Sequence, residues 1–264
     1  MTRFGVLGDL CVPADLAAGP PRGPKVRAIF ALLLLRANQT VTTDALMAEL
    51  WGSGPPASAL ATVRSHVYHL RTMLGDRSPS EANSLIVTQP TGYLLCLPDQ
   101  EIDANVFLSL AAGGQDLLAC EQVELAASTL RQALALWRGN ALADVSCGPL
   151  LEQHAAHLEE SKIAALELRI KADMRLGRYE PLVAELAGLV AAHPFNESLH
   201  AGYIEALHRC GRRGEALQAF SAVRSLLRAE LGLDPAPELQ RLQREILGGD
   251  AVSGRAAMVR SSAS

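Results

Sequence analysis

One amphipathic stretch, residues 57–74 (ASALATVRSHVYHLRTML), carries the residues best suited to chemistry. At about 100° per residue, its aliphatic side chains share one arc of a helix, which we expect to be buried. They are Leu60, Val63, Val67, Leu70 and Leu74. The opposite side carries Ser65 and Tyr68, flanked by Arg64 and His69. These donors and acceptors suit base edges and phosphates. No nucleophile, base and oxyanion set can be proposed, so the pattern indicates binding and not an enzyme.

The surrounding elements predict a winged helix-turn-helix. A shorter apolar segment ends at Trp51, a Gly/Pro-rich turn follows, and the 57–74 stretch comes next. A hairpin is predicted over residues 85–96, with Pro90-Thr91-Gly92 at its tip. In such a motif the second helix enters the major groove, and the hairpin is the wing beside it.

The side chains expected to contact DNA come from three segments. They are Arg64, Ser65, Tyr68, His69, Thr62, Arg71 and His66 on the recognition helix; Thr88, Gln89 and Thr91 on the wing; and Lys25 and Arg27 at the start of the first helix. His66 lies nearer the buried side and is expected to meet the DNA backbone, and Lys25 and Arg27 to meet phosphates. The alternative is that these are solvated polar positions on an ordinary amphipathic helix.

The segments before the recognition helix are predicted from caps and periodicity. Residues 4–12 (FGVLGDLCV) predict a strand pair. Pro24 opens a helix over residues 25–38, and Thr42 or Thr43 caps the next one. Leu46, Leu50 and Trp51 form the apolar stripe of that helix, which makes Trp51 a core anchor rather than an interaction hot spot.

The second half of the chain predicts helices throughout. They are expected near 104–118, 121–137, 149–175, 179–192, 196–210, 213–230 and 236–247. The segments 176–179 (LGRY) and 210–213 (CGRR) are offset by 34 residues, with prolines near the helix ends. This spacing is typical of tetratricopeptide repeats, and 124–144 is a candidate for an earlier, degenerate unit. The Gly/Ser/Ala-rich residues 248–264 are expected to be disordered.

Composition supports a two-domain, mainly helical protein. The 264 residues are 49% hydrophobic and 4% aromatic. Residues 1–98 have a net charge of +2 and residues 99–264 of −6, which together give the −4 of the chain. Five separated cysteines indicate a reducing compartment and neither a disulfide framework nor a zinc site. No metal or cofactor site and no membrane contact are predicted, and the expected location is the cytoplasm.

In order along the chain, seven stretches resemble one bacterial family, the Streptomyces antibiotic regulatory proteins. They are FGVLGDL at 4–10, GPKVRAIFALLLLRANQTV at 23–41, LWGSGPPASALATVRSHVYHLRTML at 50–74, VTQPTGYLL at 87–95, LRQALALWRGNALAD at 130–144, VAELAGLVAAHPFNESLHAGYIEALHRCGRRGEALQAF at 183–220 and LRAELGLDPAPELQRLQREIL at 227–247. The resemblance implies a mainly α fold with a small β component. A winged helix-turn-helix over 1–98 is followed by a tetratricopeptide-like bacterial transcriptional activation domain over 99–247.

The resemblance also implies partners. The family is not enzymatic. It looks like activators of secondary-metabolite (antibiotic) gene clusters, in which two copies bind direct repeats of promoter DNA near the −35 element. They recruit the RNA polymerase holoenzyme, including its sigma factor, and are nucleoid-associated when bound to DNA. The loop between the two helices often contacts polymerase in this winged subclass. In this chain that loop is Gly52, Ser53, Gly54, Pro55, Pro56, Ala57 and Ser58.

Two positions depart from the family pattern. Gln89 and His69 stand where an arginine is frequent. Fewer cations predict a shallow salt dependence and modest affinity for one copy. A tetratricopeptide-type adaptor with a winged domain that does not bind DNA is the alternative function.

Overall fold

Residues 4–13, 19, 21–75 and 84–248 of the computed structural model are described here. The chain divides into two compact units. One contains Met1–Asp116 and Ser128–Leu166, and the other contains Leu117–Ala127 and Glu167–Ser264. The domain limits at residues 98 and 247 stay a prediction, and the tail predicted to be disordered lies, from residue 249 on, outside the described residues.

A three-helix motif and a small sheet begin the first unit. The helices are α1 (Pro24–Leu35), α2 (Thr43–Trp51) and α3 (Ala59–Met73), and the strands are β1 (Thr40–Thr42), β2 (Ile86–Gln89) and β3 (Gly92–Leu95). Pro24 opens α1 as predicted. Thr42 caps α2, since its Oγ1 accepts a hydrogen bond from the N–H of Ala45 at 3.1 Å. Helix α1 is buried along nearly its whole apolar sequence and forms the centre of this core.

The sheet has one strand more than the predicted hairpin. The hairpin forms as expected, with β2 and β3 antiparallel and Gln89 opposite Gly92. Strand β1 adds to the other edge of β3, giving the order β1-β3-β2. A Cβ at residue 92 would lie 2.0 Å from the carbonyl oxygen of Val41, so only glycine lets β1 approach this closely.

Residues 4–12 form less regular structure than the predicted strand pair, which is wrong in this respect. They make single bridges, Gly5 with Cys11 and Phe4 with Ile102. The buried carboxylate of Asp103 replaces a strand partner: it accepts hydrogen bonds from the N–H groups of Val6 at 2.8 Å and Leu7 at 3.2 Å. A side chain nearly 100 positions away therefore satisfies backbone donors that a sheet would otherwise pair.

Six longer helices follow a 3-10 turn (Asp99–Glu101) and contribute to both units. They are α4 (Asp103–Ala119), α5 (Val123–Leu134), α6 (Pro149–Arg175), α7 (Tyr179–Ala192), α8 (Glu197–Arg209) and α9 (Arg213–Leu231), and a last helical segment covers 237–248. The predicted helices are confirmed to within a few residues at each end. No helix in the described ranges combines the length and the apolar character that a bilayer crossing needs.

The second unit repeats one turn at the predicted 34-residue offset. The N–H of Arg178 bonds to the carbonyl of Asp173 at 3.0 Å, and that of Arg212 to the carbonyl of Leu207 at 2.9 Å. Gly177 and Gly211 occupy the left-handed position, with φ of 74° and 76°. Ahead of α5, Gln122 bonds to Leu117 in the same pattern at 2.9 Å. The helices thus follow a repeated helix-turn-helix plan, as in tetratricopeptide-like domains.

Candidate nucleic-acid interface

Helix α3 separates its apolar and polar sides as its sequence predicts. Val63, Val67 and Leu70 are buried. On the other side Arg64, Ser65 and His69 are exposed, and the side chain of Tyr68 is 69% exposed. An exposed tyrosine between an arginine and a histidine leaves a continuous donor surface along the helix.

Leu60 departs from the predicted apolar arc, because it is 40% exposed. The helix begins at Ala59, so Leu60 lies in its first turn beside the inter-helix loop. Ala59 is buried there instead, at 2% exposure. Periodicity gives the direction of Leu60 around the helix, but not whether another segment covers that side chain.

Arg71 is the main correction to the predicted contacts. It is only 8% exposed and does not lie on the outward face. Its Nε and one terminal nitrogen donate to the carbonyl of Ile86 at 3.0 and 2.7 Å, and the same terminal nitrogen donates to Thr88 Oγ1 at 2.8 Å. The hairpin covers this part of α3. Arg71 therefore connects the helix to the wing, and we no longer assign it a contact with a base.

Two further side chains of α3, Thr62 and His66, are half-buried. The hydroxyl of Thr62, which is half-buried, donates to the carbonyl of Ser58 at 3.0 Å. His66 is half-buried, and its pKa lies below the usual 6.5 because of burial, with Lys25 and His69 lowering it further. His66 is therefore neutral at pH 7 and suited to a hydrogen bond rather than to a charge contact with phosphate.

The two basic residues of α1, Lys25 and Arg27, differ in how freely their side chains can contact DNA. Lys25 is exposed, with its ammonium 4.5 Å from the centre of the Trp51 ring. Arg27 is half-buried and forms an ion pair with Asp144. Burial raises the pKa of Asp144, but the N–H of Leu10 and the Arg27 guanidinium outweigh it, and the net shift is downwards. The carboxylate is thus charged at pH 7 and holds Arg27 in an internal pair, and the phosphate contact of Arg27 stays a prediction.

The wing presents a short polar edge. Thr88 and Thr91 are exposed, and Gln89 is half-buried. The carbonyl of Thr91 accepts a hydrogen bond from the N–H of Thr43 at 2.9 Å, which fastens the tip of the wing to the start of α2. The wing is therefore held at two places, by Thr43 near its tip and by Arg71 along β2.

The loop from Gly52 to Ser58 is exposed at every residue. Trp51, immediately before it, is half-buried and stacks under Lys25, so it is less deeply placed than a core anchor would be. The loop thus offers an exposed surface of small and proline residues between the two helices.

Glu49, near the end of α2, links this helix to the start of α6, and the sequence analysis did not predict this role. It is 5% exposed, and its carboxylate accepts hydrogen bonds from Gly148, Leu150 and Leu151 at 2.5, 2.8 and 3.2 Å. These N–H groups open α6, where a carboxylate is also favoured by the helix dipole. Its position between Leu46 and Leu50, on the apolar stripe of α2, was the available signal.

Comparison with known proteins agrees with both halves of the chain. The family model described as "Transcriptional regulatory protein, C terminal" matches residues 21–95, and the "Bacterial transcriptional activator domain" matches residues 102–247. The regulatory protein DnrI of Streptomyces peucetius is 41% identical over 94% of this chain and 93% of its own length. The chain belongs to the Streptomyces antibiotic regulatory protein family. It is therefore a transcriptional activator by family.

Other members of the family have longer chains. The transcriptional regulator RedD of Streptomyces coelicolor is 35% identical over 95% of this chain and 71% of its own length. The solved structure of Mycobacterium tuberculosis EmbR, in complex with a low-affinity phosphopeptide, matches with a TM-score of 0.86 and 34% identity. That match covers 93% of this chain and 64% of the EmbR chain, and it confirms the winged and helical architecture.

Proposed function

We propose that this family member is a sequence-specific DNA-binding activator of a secondary-metabolite (antibiotic) biosynthetic gene cluster. Two copies bind direct repeats near the −35 element of the promoter and recruit the RNA polymerase holoenzyme through contacts that include its sigma factor. The family assignment and the surface of α3 support this proposal.

One observation carries the DNA-binding part: α3 is buried on one side and presents exposed donors on the other. We assign base-edge contacts to Arg64, Ser65, Tyr68 and His69. The Arg64 fork suits O6 and N7 of guanine, and the small Ser65 lets the helix approach the bases closely. Phosphate contacts are assigned to Lys25 and His66, with Thr62 at the edge of the same face.

The wing and the inter-helix loop complete the proposed assembly. Thr88, Gln89 and Thr91 follow the backbone or the adjacent minor groove. The exposed loop 52–58 is proposed to contact polymerase, because every one of its residues is exposed and Glu49, shortly before it, is bonded to the start of α6.

Arg64→Ala tests DNA binding directly. We expect it to weaken binding to a promoter fragment from the host by about tenfold or more, the effect of losing one bidentate base contact. Arg224→Ala removes an arginine that is also exposed, on a helix of the second unit, and is the control, with affinity expected to be unchanged. Fluorescence anisotropy gives the affinities, and thermal melting shows that both variants remain folded.

The opposite result favours the adaptor function. If Arg64→Ala and Tyr68→Ala together leave both DNA affinity and transcription in vitro at the wild-type level, the α3 surface does not bind DNA. Replacing Arg64 and Arg71 together is a poorer test, because Arg71 is buried and its loss disturbs the wing.

A further inference from the structure

Arg71 lies where the recognition helix meets the wing, and its contacts run along β2 from Ile86 to Thr88. The carbonyl of Ile86, at the base of β2, accepts from two nitrogens of the guanidinium and from the hydroxyl of Ser84 at 2.9 Å. The side chain then extends to Thr88, one step further along the same face of the strand. Opposite Thr88 in the sheet, the ring of Tyr93 has its centre 6.0 Å from the guanidinium carbon.

The hydrogen bond to Thr88 determines what its hydroxyl can do. A threonine hydroxyl has one proton to donate and two lone pairs to accept with. Arg71 has only donors, so Thr88 must accept in this pair, and its own proton is directed elsewhere. Because Thr88 is exposed, that proton can be donated to an acceptor on the solvent side of the wing.

The charge behind Thr88 favours an anionic acceptor. Within the described ranges no carboxylate forms an ion pair with Arg71, whose guanidinium contacts a carbonyl, a hydroxyl and an aromatic ring. A hydroxyl that accepts from a cation is polarised and becomes a stronger donor in turn. An oxygen of a phosphate diester is the anion that a DNA duplex offers beside a wing.

We propose that Thr88 donates a hydrogen bond to a phosphate of the bound duplex, and that Arg71 is the positioning residue that orients its hydroxyl. The inference rests on the proposed DNA-binding function. It changes the role of Arg71 from a contact of the recognition helix to a link through which the helix controls the wing.

Thr88→Val removes the hydroxyl at nearly constant volume. We expect it to weaken binding to promoter DNA by about tenfold, the effect of losing a hydrogen bond to a charged group. Thr88→Ser keeps the hydroxyl and is expected to stay within about twofold of wild type. On DNA carrying a neutral methylphosphonate at the contacted position, found by scanning the wing-side phosphates, Thr88→Val and wild type should bind equally.

Arg71→Lys tests the orienting role, because a single ammonium cannot reproduce the fork that reaches both Ile86 and Thr88. In this background Thr88→Val should cost less than about threefold, so the two effects are not additive. Arg71→Gln is the second background if the lysine variant melts below the assay temperature.

Three results would overturn the proposal: wild-type affinity in Thr88→Val with only a lower melting temperature, an equal loss on every methylphosphonate duplex, or an undiminished loss in both Arg71 backgrounds. Failure of wild type to bind any promoter fragment would instead refute the DNA-binding function itself. Binding by wild type together with an unaffected Thr88→Val refutes the contact between Thr88 and phosphate but not the DNA-binding function.

Discussion

Removing the carboxylate of Glu49 is expected to destabilise the first unit more than any other single change of charge on α2. Glu49→Ala leaves the N–H groups of Gly148, Leu150 and Leu151 without their acceptor at the start of α6. A hydrogen bond to a charged group contributes about 1.5–3 kcal/mol net. The three bonds share one carboxylate, so they do not add independently. Water can also enter where the site is only partly buried, and we therefore expect a total loss of about 3 kcal/mol.

A loss of this size is measurable by thermal or urea unfolding at pH 7. For a protein of this length, 1 kcal/mol corresponds to about 2–4 °C in the melting temperature, so Glu49→Ala should melt about 6–12 °C lower. Glu49→Gln keeps one acceptor oxygen but places an NH₂ group next to the N–H donors. Its loss of stability should be about half that of Glu49→Ala.

Glu152→Ala is the matched control, because Glu152 is exposed in the first turn of the same helix. It loses only a dipole interaction of about 0.5 kcal/mol. The free energies of unfolding of Glu49→Ala and Glu152→Ala are expected to differ by more than 1 kcal/mol, about the scatter of surface changes. A smaller difference would show that Glu49 does not stabilise the start of α6.

Two further predictions concern pH and salt. Burial lowers the pKa of His154 and of His200 below 6.5, so the unfolded chain binds protons first as pH falls. The contribution of these two histidines to stability should therefore be complete above pH 6.5 and decrease from there down to the lower folded pKa values. His154→Gln and His200→Gln should each make the melting temperature depend less on pH between about pH 5 and 8. An unchanged pH dependence in both variants would contradict the assignment. Of the four basic side chains predicted to contact DNA, Arg27 and Arg71 are engaged internally, which leaves Lys25 and Arg64. The logarithm of single-copy affinity should therefore fall with the logarithm of salt concentration at a slope of about −2. Tight binding of one copy to a half-site with a slope beyond about −5 would contradict it.

Local signals in the sequence were enough to predict most of the elements. Pro24, the Thr42 cap and the paired turns at Gly177 and Gly211 depend on neighbours within a few residues, and the structure has them as expected. Strand β1 was missed because three residues carry too little periodicity to be recognised. Its identity as a strand depends on β3, about 50 residues later.

The polar residues near the interface show the limit of such signals. At 100° per residue, Arg64 and Arg71 lie only about 20° apart around α3. One is exposed and the other is buried under the wing, because the hairpin packs against the end of the helix and not against its middle. Periodicity determines the direction of a side chain from its own helix, but not what covers it there.

The amino-acid sequence by itself determined the order of helices, the amphipathic recognition helix, the repeat in the second half and the family. The tertiary structure alone decided that Arg27 pairs with Asp144, 117 residues away, and that Glu49 opens a helix about 100 residues further on. Local structure follows from interactions within one or two turns, whereas the partner of a buried charge is chosen when distant segments pack together and water is excluded between them.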